Sequence, residues 1–304
     1  GNKEGEGMSK TQLGFIGLGI MGKPMAINLH NAGYPLVVFD LAEEPLKELI
    51  GLGAERAASP ADVTSQCSIV LTMLPNSPDV RAVVTGDDGI LSTVGQGQII
   101  IDMSSIAPLV SQELADLLAE RGASMLDAPV SGGQEKAELG TLAFMVGGDQ
   151  DVFDTCKPIL DVMGGSVTRV GDVGAGQTTK LVNQTIVGVN IAVIAEAMSL
   201  GKKAGVDPQA IFQAIRGGLA ASACLEDKAP RMFEGRFDPG FRIRLHVKDL
   251  ANVGETSRQL HVAMPLAAQV MEMMQAMLAA GHDEVDHGGL ALYYEQVNGF
   301  SLQQ

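Results

Sequence analysis

Leu13-Gly14-Phe15-Ile16-Gly17-Leu18-Gly19-Ile20-Met21-Gly22 is the stretch on which the fold turns. The run LGFIGL at 13–18 reads as a strand that passes directly into Gly-x-Gly-x-x-Gly, and a helical pattern, PMAINLHNAG, follows. Each glycine has its own task. Gly17 permits a tight turn, Gly19 lets the backbone approach a pyrophosphate, and Gly22 lets helix and strand pack closely. The pyrophosphate sits on the unpaired N–H groups of the helix N-terminus, so Leu18, Ile20 and Met21 belong to the same loop. Such a glycine pattern alone is weak; an acid at the end of the second strand strengthens it. Asp40, closing LVVFD at 36–40, is that acid. A carboxylate there binds the adenosine ribose hydroxyls and repels a 2′-phosphate. No arginine follows in Leu41-Ala42-Glu43, so NAD is expected as cofactor, with NADP the alternative.

Outward from this stretch, apolar runs alternate with helical patterns. The strands are 36–40, 68–74, 98–104, 124–129 and 142–148, and the helices between them are PMAINLHNAG, EPLKELIGLG, SPADVTSQ and APLVSQELADLLAERG. Near-continuous apolar strands separated by helices predict a parallel sheet covered on both faces. After about Gly174 the strand signal ends. One long helical pattern over 177–204 would run roughly 40 Å. Gly205 stops it, and Asp207-Pro208 reads as an N-cap with a first-turn proline opening the next helix. Further helical patterns cover 222–232, 247–260, 265–280 and 286–298. The expected organisation is a tail or expression remnant over 1–10, a doubly wound Rossmann domain over 11–173 and an all-helical domain over 174–304, joined by the long helix.

Composition narrows the function. With 304 residues, 46% hydrophobic and 19% charged, the chain suits two globular domains. A formal net charge of -15 argues against nucleic acid and anionic membrane as partners. No stretch reads as apolar and long enough to span a bilayer, since the long helical run carries Lys180, Asn183, Asn190 and Glu196. Cys67, Cys156 and Cys224 are scattered, odd in number and without CxxC spacing, which fits reduced thiols in the cytoplasm. His282, Asp283, Asp286 and His287 in HDEVDH repeat no known ligand frame, so no metal is expected; Asp286 reads as a helix cap. The methionine run MEMMQAM at 271–277 reads as core or interface filler.

GFIGLGIMGKPMAINL, TMLPNSP at 72–78, DMSS at 102–105, DAPVSGG at 127–133, GAGQTTKLVNQ at 174–184 and GFRIRLHVKDL at 240–250 occur in the order found in the β-hydroxyacid dehydrogenases. The chain resembles that family over nearly its whole length after Met8. DAPVSGG, AIRGGLA at 214–220 and FRIRLHVKDL are similar to its tartronate semialdehyde-reducing branch in particular. The resemblance implies a Rossmann domain followed by an all-α domain of the 6-phosphogluconate dehydrogenase type. It also implies reversible reduction of tartronate semialdehyde (2-hydroxy-3-oxopropanoate) to D-glycerate. The alternatives are 3-hydroxyisobutyrate oxidation and reduction of another short semialdehyde, succinic semialdehyde or glyoxylate.

Aldehyde reduction needs an acid for the carbonyl oxygen; the hydride belongs to the cofactor. Lys180 is the expected general acid, and Asn183, three residues on, shares its helix face. Burial lowers a lysine's pKa toward the useful range. Ser131-Gly132-Gly133, after a strand, offers a hydroxyl and consecutive backbone N–H groups to a substrate carboxylate. The resemblance implies that Lys248 serves both substrate and cofactor; Asp249, next to it, reads as a residue that orients it or caps a helix. It also implies that Met73, Leu74, Pro75, Ser104 and Ser105 line the cofactor. A long, largely apolar helix needs burial on most faces, so a homo-oligomer, dimer or tetramer, is expected.

Overall fold

The computed structural model describes residues 10–303. Apart from Lys10, the tail expected over 1–10 lies outside the described residues. The chain forms two compact units, the first ending at Lys180 and the second beginning at Leu181.

The first unit is built in strand–helix steps. They are β1 (Leu13–Ile16), α1 (Gly22–Asn31), β2 (Leu36–Phe39), α2 (Glu43–Gly51), β3 (Glu55–Arg56), α3 (Pro60–Gln66), β4 (Ile69–Thr72), α4 (Ser77–Thr85), β5 (Ile99–Asp102), α5 (Pro108–Ala119) and β6 (Ser124–Asp127). There follow β7 (Val130–Ser131), α6 (Gly133–Leu139), β8 (Leu142–Gly147), α7 (Gln150–Met163) and β9 (Gly164–Gly171). The sheet order is β3-β2-β1-β4-β5-β6-β8-β7, with β9 beside β8. From β3 to β6 every pairing is parallel. The sheet is not parallel throughout: β8 runs antiparallel to β6 and β7, because only the seven-residue α6 separates β7 from β8.

The continuous apolar strands have a direct cause. Leu36, Val38, Leu71, Ile101 and Leu126 enter one core with Met25, Leu29, Phe153 and Leu160 from α1 and α7. Their neighbours Val37, Val70, Ile100 and Met125 enter a second core with Val63, Val80, Val84, Leu114 and Leu118 from α3, α4 and α5. Alternate side chains point to opposite faces and both faces are covered, so the middle positions of these strands are apolar, and polar residues such as Thr72, Asp102 and Asp127 come only at strand ends.

Helix α8 (Ala175–Lys203) begins in the first unit and continues into the second. The second unit adds α9 (Pro208–Ile215), α10 (Ala223–Glu234), α11 (Ile243–Gln259), α12 (Pro265–Ala279) and α13 (Ala291–Asn298). No strand lies beyond Gly171 among the described residues. Ile191, Ala195 and Met198 of α8 share a core with Met232, Leu250, Met274 and Tyr294. Asp207 accepts from the Gln209 N–H as the N-cap of α9. Helix α11 starts four residues before the periodicity suggested. The expected helix at 286–298 opens as a 3-10 turn, His287–Leu290, capped by Asp286.

One expectation fails on composition. Helix α8 is long and apolar enough to cross a membrane, with an 18-residue window of mean hydropathy 1.5. Scattered polar side chains such as Asn183 and Asn190 dilute that apolar character too little to exclude it. Of that window, 44% is buried inside the protein, and core helices meet the same description.

Candidate functional site

At the end of β1 the chain turns through Gly17 at φ +96, where a Cβ would stand 2.2 Å from the Met73 carbonyl oxygen. Gly22 is equally fixed, since a Cβ there would meet the Gly17 carbonyl oxygen at 1.9 Å. Gly19 differs: a Cβ would meet nothing within 4 Å. The outer glycines close the turn and the middle one faces open space, the arrangement a bound pyrophosphate requires. Leu18 is buried, Ile20 exposed and Met21 half-buried.

Asp40 lies just past β2. Its Oδ2 accepts from the Leu18 N–H at 2.5 Å and its Oδ1 from the Ala42 N–H at 2.7 Å. The acid therefore braces the glycine loop from below, and exposed Leu41 follows it. Met73, Leu74 and Pro75 leave β4, and Ser104 and Ser105 leave β5. The Ser104 hydroxyl is buried and accepts from the Leu74 N–H at 2.8 Å, tying the two loops together.

The start of α8 is pinned to the sheet. Asp127, at the end of β6, accepts from the Gly174 and Gln177 N–H groups, each at 2.8 Å. The Gln177 side chain donates to the Ser104 carbonyl at 2.6 Å and accepts from the Ile106 N–H at 3.0 Å. Burial pushes the Asp127 carboxyl up to about 6, against the lowering effect of the two N–H donors; neighbouring Asp102 adds to the rise. Neither Asp127 nor Gln177 stood out in the sequence as a site residue. Both were visible only as members of DAPVSGG and GAGQTTKLVNQ, and their partners lie 47 to 73 residues away.

Lys180 follows in the second turn of α8. It is 5% exposed, and its Nζ donates to the Val130 carbonyl at 2.8 Å. Val130 immediately precedes Ser131-Gly132-Gly133. Gly132 takes φ +140 and Gly133 φ +71, conformations that favour glycine. The buried ammonium and the candidate carboxylate cradle therefore adjoin through one carbonyl.

In the second unit, the Asn183 Nδ2 donates to the Gln184 Oε1 at 2.9 Å, and the Gln184 Nε2 donates to the Asp249 Oδ2 at 2.7 Å. The Lys248 Nζ lies 3.1 Å from the Asp249 Oδ1. His246 Nε2 stands 2.9 Å from the Gln184 carbonyl oxygen, and His246 and His287 meet Nδ1 to Nδ1 at 2.9 Å. Gly188 makes room, since a Cβ there would stand 2.9 Å from the His246 Nε2. Asp286 pairs with Lys228 at 3.0 Å and accepts from the Phe241 and Gly288 N–H groups. The carboxylate in HDEVDH thus ties a loop to α10.

Residues 12–171 match the NAD binding domain of 6-phosphogluconate dehydrogenase. Residues 174–294 match the NAD-binding domain of NADP-dependent 3-hydroxyisobutyrate dehydrogenase. The 2-hydroxy-3-oxopropionate reductase of Escherichia coli is 42% identical over 92% of this chain and 95% of its own. The 2-(hydroxymethyl)glutarate dehydrogenase of Eubacterium barkeri is 37% identical over 96% and 97%. Among solved structures, the 3-hydroxyisobutyrate dehydrogenase of Mycobacterium tuberculosis with L-serine superposes with a TM-score of 0.88 at 31% identity, over 93% of this chain and 99% of that one.

Proposed function

We propose, from the premise that this chain belongs to the β-hydroxyacid dehydrogenase family and carries its NAD(P)-binding domains, that it reduces tartronate semialdehyde reversibly to D-glycerate. The observation that carries the reading is the buried Lys180, held by the Val130 carbonyl beside Ser131-Gly132-Gly133.

The nicotinamide supplies the hydride when bound. The open face at Gly19 and the acid at position 40 fit such a group. The roles of the chain's own residues follow. Gly17 to Gly22 cradle the pyrophosphate; Asp40 takes the ribose and disfavours a 2′-phosphate, giving NADH precedence over NADPH. Met73, Leu74, Pro75 and Ser105 line the same ligand, with Ser104 bracing Leu74. Ser131, Gly132 and Gly133 hold the substrate carboxylate. The Lys180 ammonium gives a proton to the carbonyl oxygen as negative charge develops there, and the neutral amine takes it back in the oxidative direction. Asn183 orients the substrate, and Lys248 adds positive charge in a chain of net charge -15.

The relative named a 2-hydroxy-3-oxopropionate reductase supports tartronate semialdehyde. Oxidation of 3-hydroxyisobutyrate is the second reading, favoured by the solved relative. A pocket that pairs the tartronate hydroxyl should reject a methyl strongly, whereas an apolar pocket discriminates weakly. kcat/KM for tartronate semialdehyde beside methylmalonate semialdehyde, with NADH and then NADPH, separates the two. A preference for methylmalonate semialdehyde would overturn the first reading. Lys180→Ala should lower turnover at least about a thousandfold and leave NADH binding intact; near-normal turnover would exclude Lys180 as the acid.

The protein acts as a homodimer or homotetramer in a reducing compartment such as the cytoplasm. Val182, Ile186, Val193 and Leu200 of α8 are exposed. At about 100° per residue they fall within a stripe about 40° wide, a seam suited to a second copy. A monomer at micromolar concentration, measured by light scattering, would contradict this. The three free cysteines suit the compartment. Burial pushes Cys67 up to about 11 and Cys156 up to about 12, which keeps both as thiols.

A further inference from the structure

Gln184 and Asp249 are 4% and 2% exposed. They stand between Asn183 and Lys248, to which the proposed function gives substrate roles. We propose that Gln184 and Asp249 are positioning residues that fix which way the Asn183 amide points and couple it to Lys248. The inference rests on that functional reading of Asn183.

The direction follows from donors and acceptors alone. An ionised carboxylate only accepts, so the Gln184 group facing Asp249 at 2.7 Å must be its NH2. The Gln184 oxygen then faces Asn183, and at 2.9 Å it can only receive a hydrogen. Asn183 must therefore turn its own NH2 toward Gln184. This leaves its carbonyl oxygen and one N–H for a ligand, so it can accept from a substrate hydroxyl. The opposite flip would set two oxygens against each other in a part-buried site. Asp249 spends its second oxygen on Lys248 at 3.1 Å, so one carboxylate orders both an amide and an ammonium. Gln184 is also held through its backbone, where the His246 ring nitrogen meets its carbonyl oxygen. The relay thus hangs from a clamped point on α8. Gln184 stood in the quoted motif GAGQTTKLVNQ without a role; its partner lies 65 residues on.

The test compares steady-state kinetics of wild type, Asn183→Ala, Gln184→Met, Gln184→Glu, Asp249→Asn and the double variant Gln184→Glu with Asp249→Asn. The assay uses NADH with whichever of tartronate and methylmalonate semialdehyde the wild type prefers. Gln184→Met keeps the volume and removes the polarity. It should lower kcat/KM for the semialdehyde by about tenfold to a hundredfold, with KM for NADH within about twofold. Gln184→Glu should be impaired because two buried carboxylates then face each other, and Asp249→Asn because its single oxygen can serve only one of the Gln184 NH2 and the Lys248 ammonium.

The double variant restores every bond. The new carboxylate at position 184 accepts from Asn183 on one side and from the new amide at 249 on the other. That amide's oxygen still receives Lys248. Recovery to within about threefold of wild type is expected; loss and rescue confined to the semialdehyde kcat/KM, with KM for NADH within about twofold throughout, mark positioning, since a purely structural loss would move both. A double variant no better than the worse single one overturns the proposal, and decides the matter even if Gln184→Met fails to fold. So does Gln184→Met at wild-type kcat/KM. If Asn183→Ala is itself silent, the functional reading of Asn183 fails and the positioning role falls with it. If Asn183→Ala is impaired and Gln184→Met is not, only the positioning role falls.

Discussion

Asp127 sets two physical effects against each other, and Asp127→Asn decides between them. The carboxylate is fully buried and receives two N–H groups at 2.8 Å from the start of α8, which favour its charge. Burial opposes them and wins, raising the carboxyl from 3.8 to about 6. That displacement is worth about 3 kcal/mol between the fully protonated and fully ionised limits. Below 3.8 both the folded and the unfolded chain hold the proton, and the group's relative contribution to stability is fully present. As pH rises toward about 6, the unfolded chain has released its proton while the folded protein keeps it, so stability is progressively lost. Between about pH 5 and about pH 7.5 the loss is about 1.4 kcal/mol.

Asp127→Asn cannot titrate. Its single oxygen serves one N–H, and its NH2 confronts the other, leaving a buried donor unpaired at a cost of about 1–3 kcal/mol. The variant is therefore expected to be less stable than wild type near pH 5, with the gap narrowing by about 1.4 kcal/mol at about pH 7.5. Urea unfolding followed by circular dichroism, both proteins side by side at each pH, gives the gap directly. A gap that widens with pH would refute the reasoning. It would mean that the two N–H donors outweigh burial and hold the carboxyl below its ordinary value.

Gly132→Val places a branched side chain at φ +140 with its Cβ 2.7 Å from the Lys136 Cδ; KM for the semialdehyde should rise about tenfold or more while KM for NADH stays within about twofold, and equal rises would count against the carboxylate cradle. Asp40→Ala removes the acceptor for the Leu18 N–H. It should move the NADH-to-NADPH ratio of kcat/KM toward NADPH by about tenfold; an unchanged ratio would show that Asp40 only braces the loop. Lys228→Met strands the buried Asp286 charge and should cost about 3–5 kcal/mol in urea unfolding. A loss below about 1 kcal/mol would show that the backbone donors at Phe241 and Gly288 suffice for Asp286.

What could be read in the sequence was local. Gly22 is forced by the Gly17 carbonyl within one strand–turn–helix unit, and Gly17 takes the φ +96 of the turn itself, so a ten-residue string reveals both, although the Met73 carbonyl that also crowds Gly17 lies far along the chain. Strands β2, β4, β5, β6 and β8 declare themselves because both sheet faces are covered and their middle positions are apolar. The missed strands are those for which that reason lapses. Glu55 and Arg56 of β3 are exposed at the sheet edge. Strand β7 has two residues, and β9 carries exposed polar positions such as Ser166. Helices α4 and α7 are marked at their starts by Pro78 and the Asp149 cap but show weakly in the pattern, and Pro158 inside α7 disguises it further. In the candidate site, Lys180, Asn183 and the cradle at 131–133 could be named from motifs. What holds them could not. Val130 meets Lys180 across 50 residues, Asp127 meets Gln177 across 50, and Gln184 meets Asp249 across 65. Each supporting partner is chosen by the sheet order and the helix packing, after the local elements have formed. Periodicity carries no trace of such pairings. The residues that bear the chemistry are therefore legible earlier than those that aim it, and a substitution at Gln184 or Asp127 would look harmless in a string where one at Lys180 would not.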